Sequence, residues 1–552
     1  MNFMILKPIL ILSISQLIIL SAFSQQWYWA TGVGGEHFDC PNSIAVDKNG
    51  NSYVTGYFDS DNIKYGNNVI LENQLGDPSN FFLLKFDDQG IPVYGRTGKG
   101  TSLFAAAGAD VETDNNNNVF LSMWFKSYVN YILMQDTFYQ KGIWDGLLIK
   151  YDSNGNYAWA RHLSVGGEYD MTQFIQLDQQ DNIYVAGNIV WLNIRFDSIN
   201  IEIKGDYYNH YLIKLDNSGT GLWGKQIYGN NSVIPVNIKM DYNNNINVLA
   251  HFKGDTICAD SNYQYHFPAC YFICRYDTSG NLIQIYPIID DSICEIKDFE
   301  IDDNNNIYLI GTFITDSLKI NNQTILINKN PSFEDVFILK YDYNLNIKWA
   351  KSYNGISNDD VRYIKYGNSK WLYIAGESYS DTLFLDNLVI TNPGMFISKI
   401  DTNGNTVDYM NSTSCGPFYY DIFINESEEL FLASQYWGSP AFGSINLPAY
   451  GTLSDLVVAK SIFNTGFQDR LTESIKISVY PNPFSEIINI SFEESFKKST
   501  LSIYSITGKI LFKKDFTNKQ YLTINLFDFQ SGYYLLKLET DLGNAVIPVL
   551  KI

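Results

Sequence analysis

Ser43–Gly56 reads SIAVDKNGNSYVTG, and further along Phe81–Arg96 reads FFLLKFDDQGIPVYGR. The two phrases return at Phe174–Gly187 with Tyr211–Lys225, and again at Phe299–Gly311 with Val336–Lys351. A unit that recurs at roughly 60 residues marks a repeat architecture. Within each phrase apolar residues alternate, and clusters of Asp, Asn and Gly separate the runs. That is the pattern of antiparallel strands joined by tight hairpins.

Each repeat can be laid out as four strands. The first ends at Asp47, Asp114, Asp178, Asp241, Asp302, Gly367 or Asn425, and the third ends near Lys85, Lys150, Lys214, Arg275, Lys340, Lys399 or Lys460. The fourth often carries tryptophan, as at Trp159, Trp223 and Trp349. Seven copies predict an all-β fold, a seven-bladed β-propeller of four-stranded blades. The run WYWATGVGG from Trp27 matches a fourth strand with nothing before it, whereas the seventh repeat stops near Phe463 without one. The N-terminal strand is therefore expected to complete the last blade, which removes the free edges of an open array. An open solenoid is the alternative.

The 552 residues include 40 Tyr, 35 Phe and 39 Gly but 15 Pro, which suits many short strands. A net charge of −21 argues against nucleic acid or anionic lipid as a partner. Lys7, the apolar run Pro8 to Leu20, and small Ala22 and Ser24 read as a secretory signal over residues 1–24, with a mature start at Gln25. No later stretch is apolar enough for a membrane span in the mature chain. No cysteine follows the expected cut, so a lipoprotein anchor is not expected. Of six cysteines, Cys258 and Cys270 flank an insertion in the fourth repeat and form the candidate disulfide. Cys270 and Cys274 have no second pair at zinc-finger spacing.

The IAVD, GN-x-YV-x-G and LLK-x-D elements resemble the SBBP-type β-propeller repeats of secreted bacterial proteins. The resemblance spans residues 25–463 and implies that the IAVD strand lines a central channel. After a polar linker at 464–472, residues 473–552 alternate apolar residues between glycines, as a small Ig-like β-sandwich would. Tyr480-Pro481-Asn482-Pro483, Tyr504 with Gly508-Lys509, Ser531-Gly532-Tyr533-Tyr534 and the basic end at Lys551 resemble the type A C-terminal sorting domain of the type IX secretion system of Bacteroidota. That resemblance implies the type IX secretion machinery as a partner and a secreted or outer-surface location.

Asp-x-Asn-Gly-Asn turns such as Asp47-Asn49-Asn51 resemble the opening of a calcium loop but lack its closing glutamate, and tight turns select the same residues. No nucleophile elbow, zinc helix or histidine cluster is present. Ligand recognition is expected where repeats differ. One set is aromatic: Tyr128, Tyr131, Trp144, Tyr207, Tyr208, Tyr263, Tyr265, Tyr436 and Trp437, whose faces suit sugar rings. The other is acidic, with Asp39, Asp170, Asp290 and Asp359 expected at the channel mouth, where calcium is the cation they would suit. No cofactor is otherwise implied. The expected function is a non-catalytic extracellular binding or adhesion protein for a glycan or protein ligand. The alternative is a carbohydrate-active hydrolase or lyase.

Overall fold

The computed structural model describes residues 26–551 apart from 74–78, 101–104, 127–129, 141, 164–170, 191–192, 203, 205–207, 260–263, 267, 291–293, 321–322, 329, 387, 392, 413–414, 443, 464–476, 481–483, 493–498, 506–509, 518, 531 and 541–542. The expected signal segment and the expected linker lie outside the described residues, as do Tyr128, Asp170, Tyr207 and Tyr263. The chain divides into two compact units, one through Phe463 and one from Asn464. Among the described residues no helix is long and apolar enough to cross a membrane.

The first unit is all-β and antiparallel, with a propeller-like arrangement. Its backbone forms four-stranded sheets in sequence order, beginning with Asp39–Val46, Ser52–Phe58, Asn80–Phe86 and Pro92–Arg96. Six further inner strands follow: Ala105–Thr113, Met171–Leu177, Val233–Met240, Cys294–Ile301, Asp359–Tyr366 and Cys415–Ile424. Each inner strand packs against the next, and the seventh packs against the first. The seventh sheet takes its outer strand from the far end of the chain. Gln26–Val33 pairs with Asp455–Ile462, placing Thr31 opposite Val458.

Middle strands are covered on both faces by neighbouring sheets, so they are buried along their length. Every residue of Ile307–Phe313 is buried, as is every residue of Leu372–Ser378. Turn chemistry ends the strands. Asp47 Oδ1 accepts the amides of Asn49 (2.9 Å) and Asn51 (3.0 Å), while Oδ2 accepts the Asn51 side-chain amide (2.8 Å) and the Tyr53 hydroxyl (3.0 Å). Both oxygens of this calcium-like turn are thus engaged by the chain itself.

The repeated basic and aromatic residues bind sheet to sheet. Lys85, Lys214 and Lys340 donate to the carbonyls of Ser153 (2.7 Å), Thr278 (3.1 Å) and Thr402 (2.9 Å), each in the outer turn of the following sheet. The outer-strand tryptophans reach the same turns: Trp223 Nε1 donates to Thr278 O at 3.0 Å and Trp349 Nε1 to Thr402 O at 3.1 Å.

The second unit holds a three-stranded sheet of Ile477–Tyr480, Ile487–Phe492 and Tyr521–Asn525, and a four-stranded sheet built on Ser499–Ser505 and Gly532–Thr540. Ile488, Ile490, Leu501, Ile503, Leu536 and Leu538 share one core between them. Lys551 is buried and donates to the carbonyls of Leu526 (2.6 Å) and Phe527 (2.8 Å). Pro481, Asn482, Pro483, Gly508, Lys509 and Ser531 lie outside the described residues.

Candidate functional site

The inner strands build the site. Most carry one bulge; Asn42, Lys297 and Arg362 are examples of residues skipped by the pairing register. A bulge re-aims the residues that follow it. The position just after it is Ser43, Asp110, Asn237 or Asp298 in four sheets, with Asp421 as its counterpart in the seventh, and its side chain stitches neighbouring sheets together. Asp110 accepts Val111 N (2.9 Å) in its own strand and Ile175 N (2.8 Å) in the next sheet. Asp298 does the same with Phe299 N (2.8 Å) and Ile364 N (3.1 Å). Asp421 joins the seventh sheet to the first through Ile422 N (2.8 Å) and Ile44 N (3.1 Å).

Two residues further on, Glu112, Lys239, Glu300 and Lys365 face a central cavity of about 470 Å³ lined by the inner strands. Lys365 Nζ lies 3.8 Å from Asp421 Oδ1, and Lys239 Nζ lies 3.7 Å from Glu300 Oε2. Burial opposes the charge on Lys365, yet Asp421, Asp298, Glu300 and Glu112 together hold its pKa above the ordinary value. Burial, reinforced by Asp110, pushes the Glu112 carboxyl up to about 8. At one end of the cavity wall, Arg362 lies 3.3 Å from Asp360 and 3.8 Å from Glu377, whose carboxyl is pushed by burial to about 8.

Asp39, Asp290 and Asp359, expected at the channel mouth, lie elsewhere. Asp39 and Asp359 are fully buried at junctions between sheets, because the backbone at the start of these two inner strands pairs back onto the preceding sheet. Asp39 N donates to Ser454 O at 3.0 Å, and Asp359 N to Glu334 O at 2.9 Å. Asp39 accepts Gly35 N (2.8 Å) and Ser60 Oγ (3.0 Å); Asp359 accepts Ser378 Oγ and Ser380 Oγ. Asp290 ends an outer strand opposite Cys270, not an inner one. Among the described residues no three of His, Cys, Asp or Glu gather as a metal site.

Two of the expected ligand aromatics are core residues. Tyr131 is fully buried, stacks on Phe125 with centroids 5.0 Å apart and donates to Asn80 Oδ1 at 3.0 Å. Tyr436 is fully buried and donates to Pro448 O at 2.8 Å. Tyr265 is half-buried against the core of the fourth sheet. Trp144 is half-buried, edge-on to Trp124 at 4.6 Å. Tyr208 and Trp437 are exposed, as are Phe38 and Tyr379, which the sequence reading passed over. The loops carrying Phe38 and Tyr379 belong to one end of the unit. Asp59 N donates to Phe38 O at 2.7 Å and Tyr379 N to Asn358 O at 3.0 Å, so the loop entering an inner strand meets the loop leaving its neighbour.

The expected Cys258–Cys270 disulfide is not formed, because the two cysteines sit on different sheets. Cys258 sits on a hairpin, Thr256–Ala259 with Gln264–His266, that bonds to the outer strand of the third sheet through Tyr228. Cys270 opens the third strand of the fourth sheet opposite Phe252. Sequence proximity hid that these are different sheets.

Residues 39–64 match the family model described as a beta-propeller repeat, and residues 478–549 match that of a secretion system C-terminal sorting domain. An uncharacterized WD repeat-containing protein of Acanthamoeba polyphaga mimivirus is 22% identical over 178 residues, which make up 27% of this chain and 13% of that protein. Among solved structures, a puromycin hydrolase aligns with TM-score 0.41 and 8% identity over 83% of this chain and 59% of its own. An ulvan lyase of a polysaccharide lyase family aligns with TM-score 0.33 and 12% identity over 68% of this chain and 79% of its own.

Proposed function

We propose that this chain, which joins propeller repeats to a secretion-system sorting domain, is a secreted or cell-surface, non-catalytic binding protein. In this reading the first unit is a seven-bladed β-propeller completed by its N-terminal strand, and it serves as a platform for an extracellular glycan or protein. The tail is an Ig-like sandwich that delivers the platform through the type IX secretion machinery.

The supporting observation is the engagement of the inner-strand carboxylates. A glycosidase needs two acids free to exchange protons or attack at a glycosidic bond. Asp110, Asp298 and Asp421 each accept backbone amides from two sheets, which commits their oxygens to joining the sheets. Exposed Phe38, Tyr379 and Trp437 supply flat apolar faces of the kind that stack on sugars or peptide side chains.

Glu112 favours a second reading, an extracellular carbohydrate-active enzyme. It faces the cavity without a hydrogen-bond partner among the described residues, and a carboxyl with a pKa of about 8 is protonated at neutral pH as a general acid must be. One experiment separates the two. The secreted protein is incubated with a panel of plant and marine polysaccharides and assayed for retention, for new reducing ends and for unsaturated products. The first reading expects retention without products, weakened about tenfold by Trp437→Ala or Tyr379→Ala. Products that vanish in Glu112→Gln would select the second.

A further inference from the structure

At two junctions the first residue of a third strand and the first residue of the next inner strand are both aspartate: Asp455 with Asp39, and Asp335 with Asp359. Like charges repel most strongly where water is excluded, so their joint occurrence calls for a shared positive species.

The junction of the seventh and first sheets shows the need most plainly. Asp39 and Asp455 are both fully buried, and among the described residues neither forms an ion pair. Asp39 Oδ2 takes Gly35 N and Ser60 Oγ; Asp455 takes Tyr450 N at 3.0 Å. The remaining oxygens, Asp39 Oδ1 and Asp455 Oδ1, are buried without a hydrogen-bond partner. The Gly35 amide acts on both carboxyls, which places them around one point. Gly34 lets Asp455 Oδ1 pack against its backbone, where a Cβ would fall 2.0 Å from that oxygen.

We propose that Asp39 Oδ1 and Asp455 Oδ1 are ligands of a divalent cation of the calcium class, which clamps the seventh sheet to the first. An all-oxygen surround of carboxylates, hydroxyl and backbone suits a hard cation, and calcium tolerates irregular sites completed by carbonyls and water. At the Asp335–Asp359 junction, Asp359 Oδ2 is likewise buried without a hydrogen-bond partner. The rival occupant is a proton shared between the two carboxyls.

The test uses the secreted full chain, stripped with EDTA. Terbium luminescence sensitised by neighbouring tyrosines such as Tyr436 reports binding, calcium competes it away, and elemental analysis counts the ions. At pH 8, calcium at about a hundred times its Kd should raise the unfolding midpoint by about 3 °C. Asp39→Asn and Asp455→Asn should each remove one ion per chain and most of that rise. Should one variant not be secreted folded, the other, with the wild-type titration, still decides. No bound ion, no calcium-dependent midpoint, or an ion count unchanged in either variant would overturn the proposal.

Discussion

The Trp29 indole donates its Nε1 hydrogen to the Asp88 carbonyl at 3.0 Å, across 59 residues of chain. Trp29 lies on the N-terminal strand of the seventh sheet and Asp88 in the outer turn of the first, so this bond crosses the seam where the first unit's two ends meet. Thr31 Oγ1 adds a second link, to Gly90 O at 2.7 Å. Trp223 and Trp349 make the same contact at other junctions, so the seam is built like any other interface between neighbouring sheets.

Trp29→Ala should destabilise the first unit by about 3 kcal/mol, the usual cost of removing a large packed aromatic. Deleting the strand through Thr31 should do more, leaving Asp455–Ile462 as an unpaired edge and promoting association. Urea unfolding and size-exclusion chromatography check both.

Gly90 has φ of +78°, and a Cβ on it would fall 2.4 Å from the Trp29 ring. Gly90→Ala should therefore cost about 2 kcal/mol, from left-handed strain plus displacement of the indole. Gly66 has φ of +59° but open space around it, and Gly66→Ala should cost about 1 kcal/mol. Equal losses in a denaturant titration would deny the stacking.

The antiparallel, propeller-like repeats are legible in the sequence because turn residues, alternation and repeated tryptophans are local signals. The N-terminal match to a fourth strand located the pairing of Gln26–Val33 with Asp455–Ile462. The cavity was not read, although counting back two and four residues from the turn aspartates yields Asp110 and Glu112, Asp298 and Glu300, and Lys365 before Gly367. Bulges such as Lys297 shift the alternation between faces, so strict period-two reading misplaces the strand's beginning. The acids at the strand starts look like a channel mouth in sequence because the return pairing of Asp39 and Asp359 onto the preceding sheet is a tertiary fact. Tyr131 and Tyr436 look like loop aromatics in sequence but cap sheet cores.

Lys365 is the cation nearest Asp421 in the cavity wall. Lys365→Met should destabilise the protein by about 3 kcal/mol, since it leaves neighbouring carboxylates uncompensated. At pH 9, where the Glu112 carboxyl is ionised, adding Glu112→Gln should recover part of the loss. A double mutant no more stable than Lys365→Met would remove Glu112 from that network.

Without divalent cations, stability should fall as pH rises from 5 to 9. Burial raises Asp39, Glu112 and Glu377 to about 8, and Asp359 and Asp455 to about 6. The native state then binds more protons than the unfolded chain. This contribution is complete below the ordinary carboxylate pKa and is lost as pH climbs through about 6 and then about 8. Turn acids such as Asp152 and Asp342, held low despite slight burial by amide hydrogen bonds, act oppositely: their stabilisation is lost only as pH falls through their depressed pKa. Thermal midpoints in EDTA across this range check the sign.

The central claim is that the two ends of the first unit form one sheet, and hydrogen–deuterium exchange read by mass spectrometry tests it most directly. Amides of Gln26–Val33 should exchange as slowly as those of Asp455–Ile462, and Trp29→Ala should speed both together. Rapid exchange of Gln26–Val33 beside a protected Asp455–Ile462 in the wild-type protein would contradict the account.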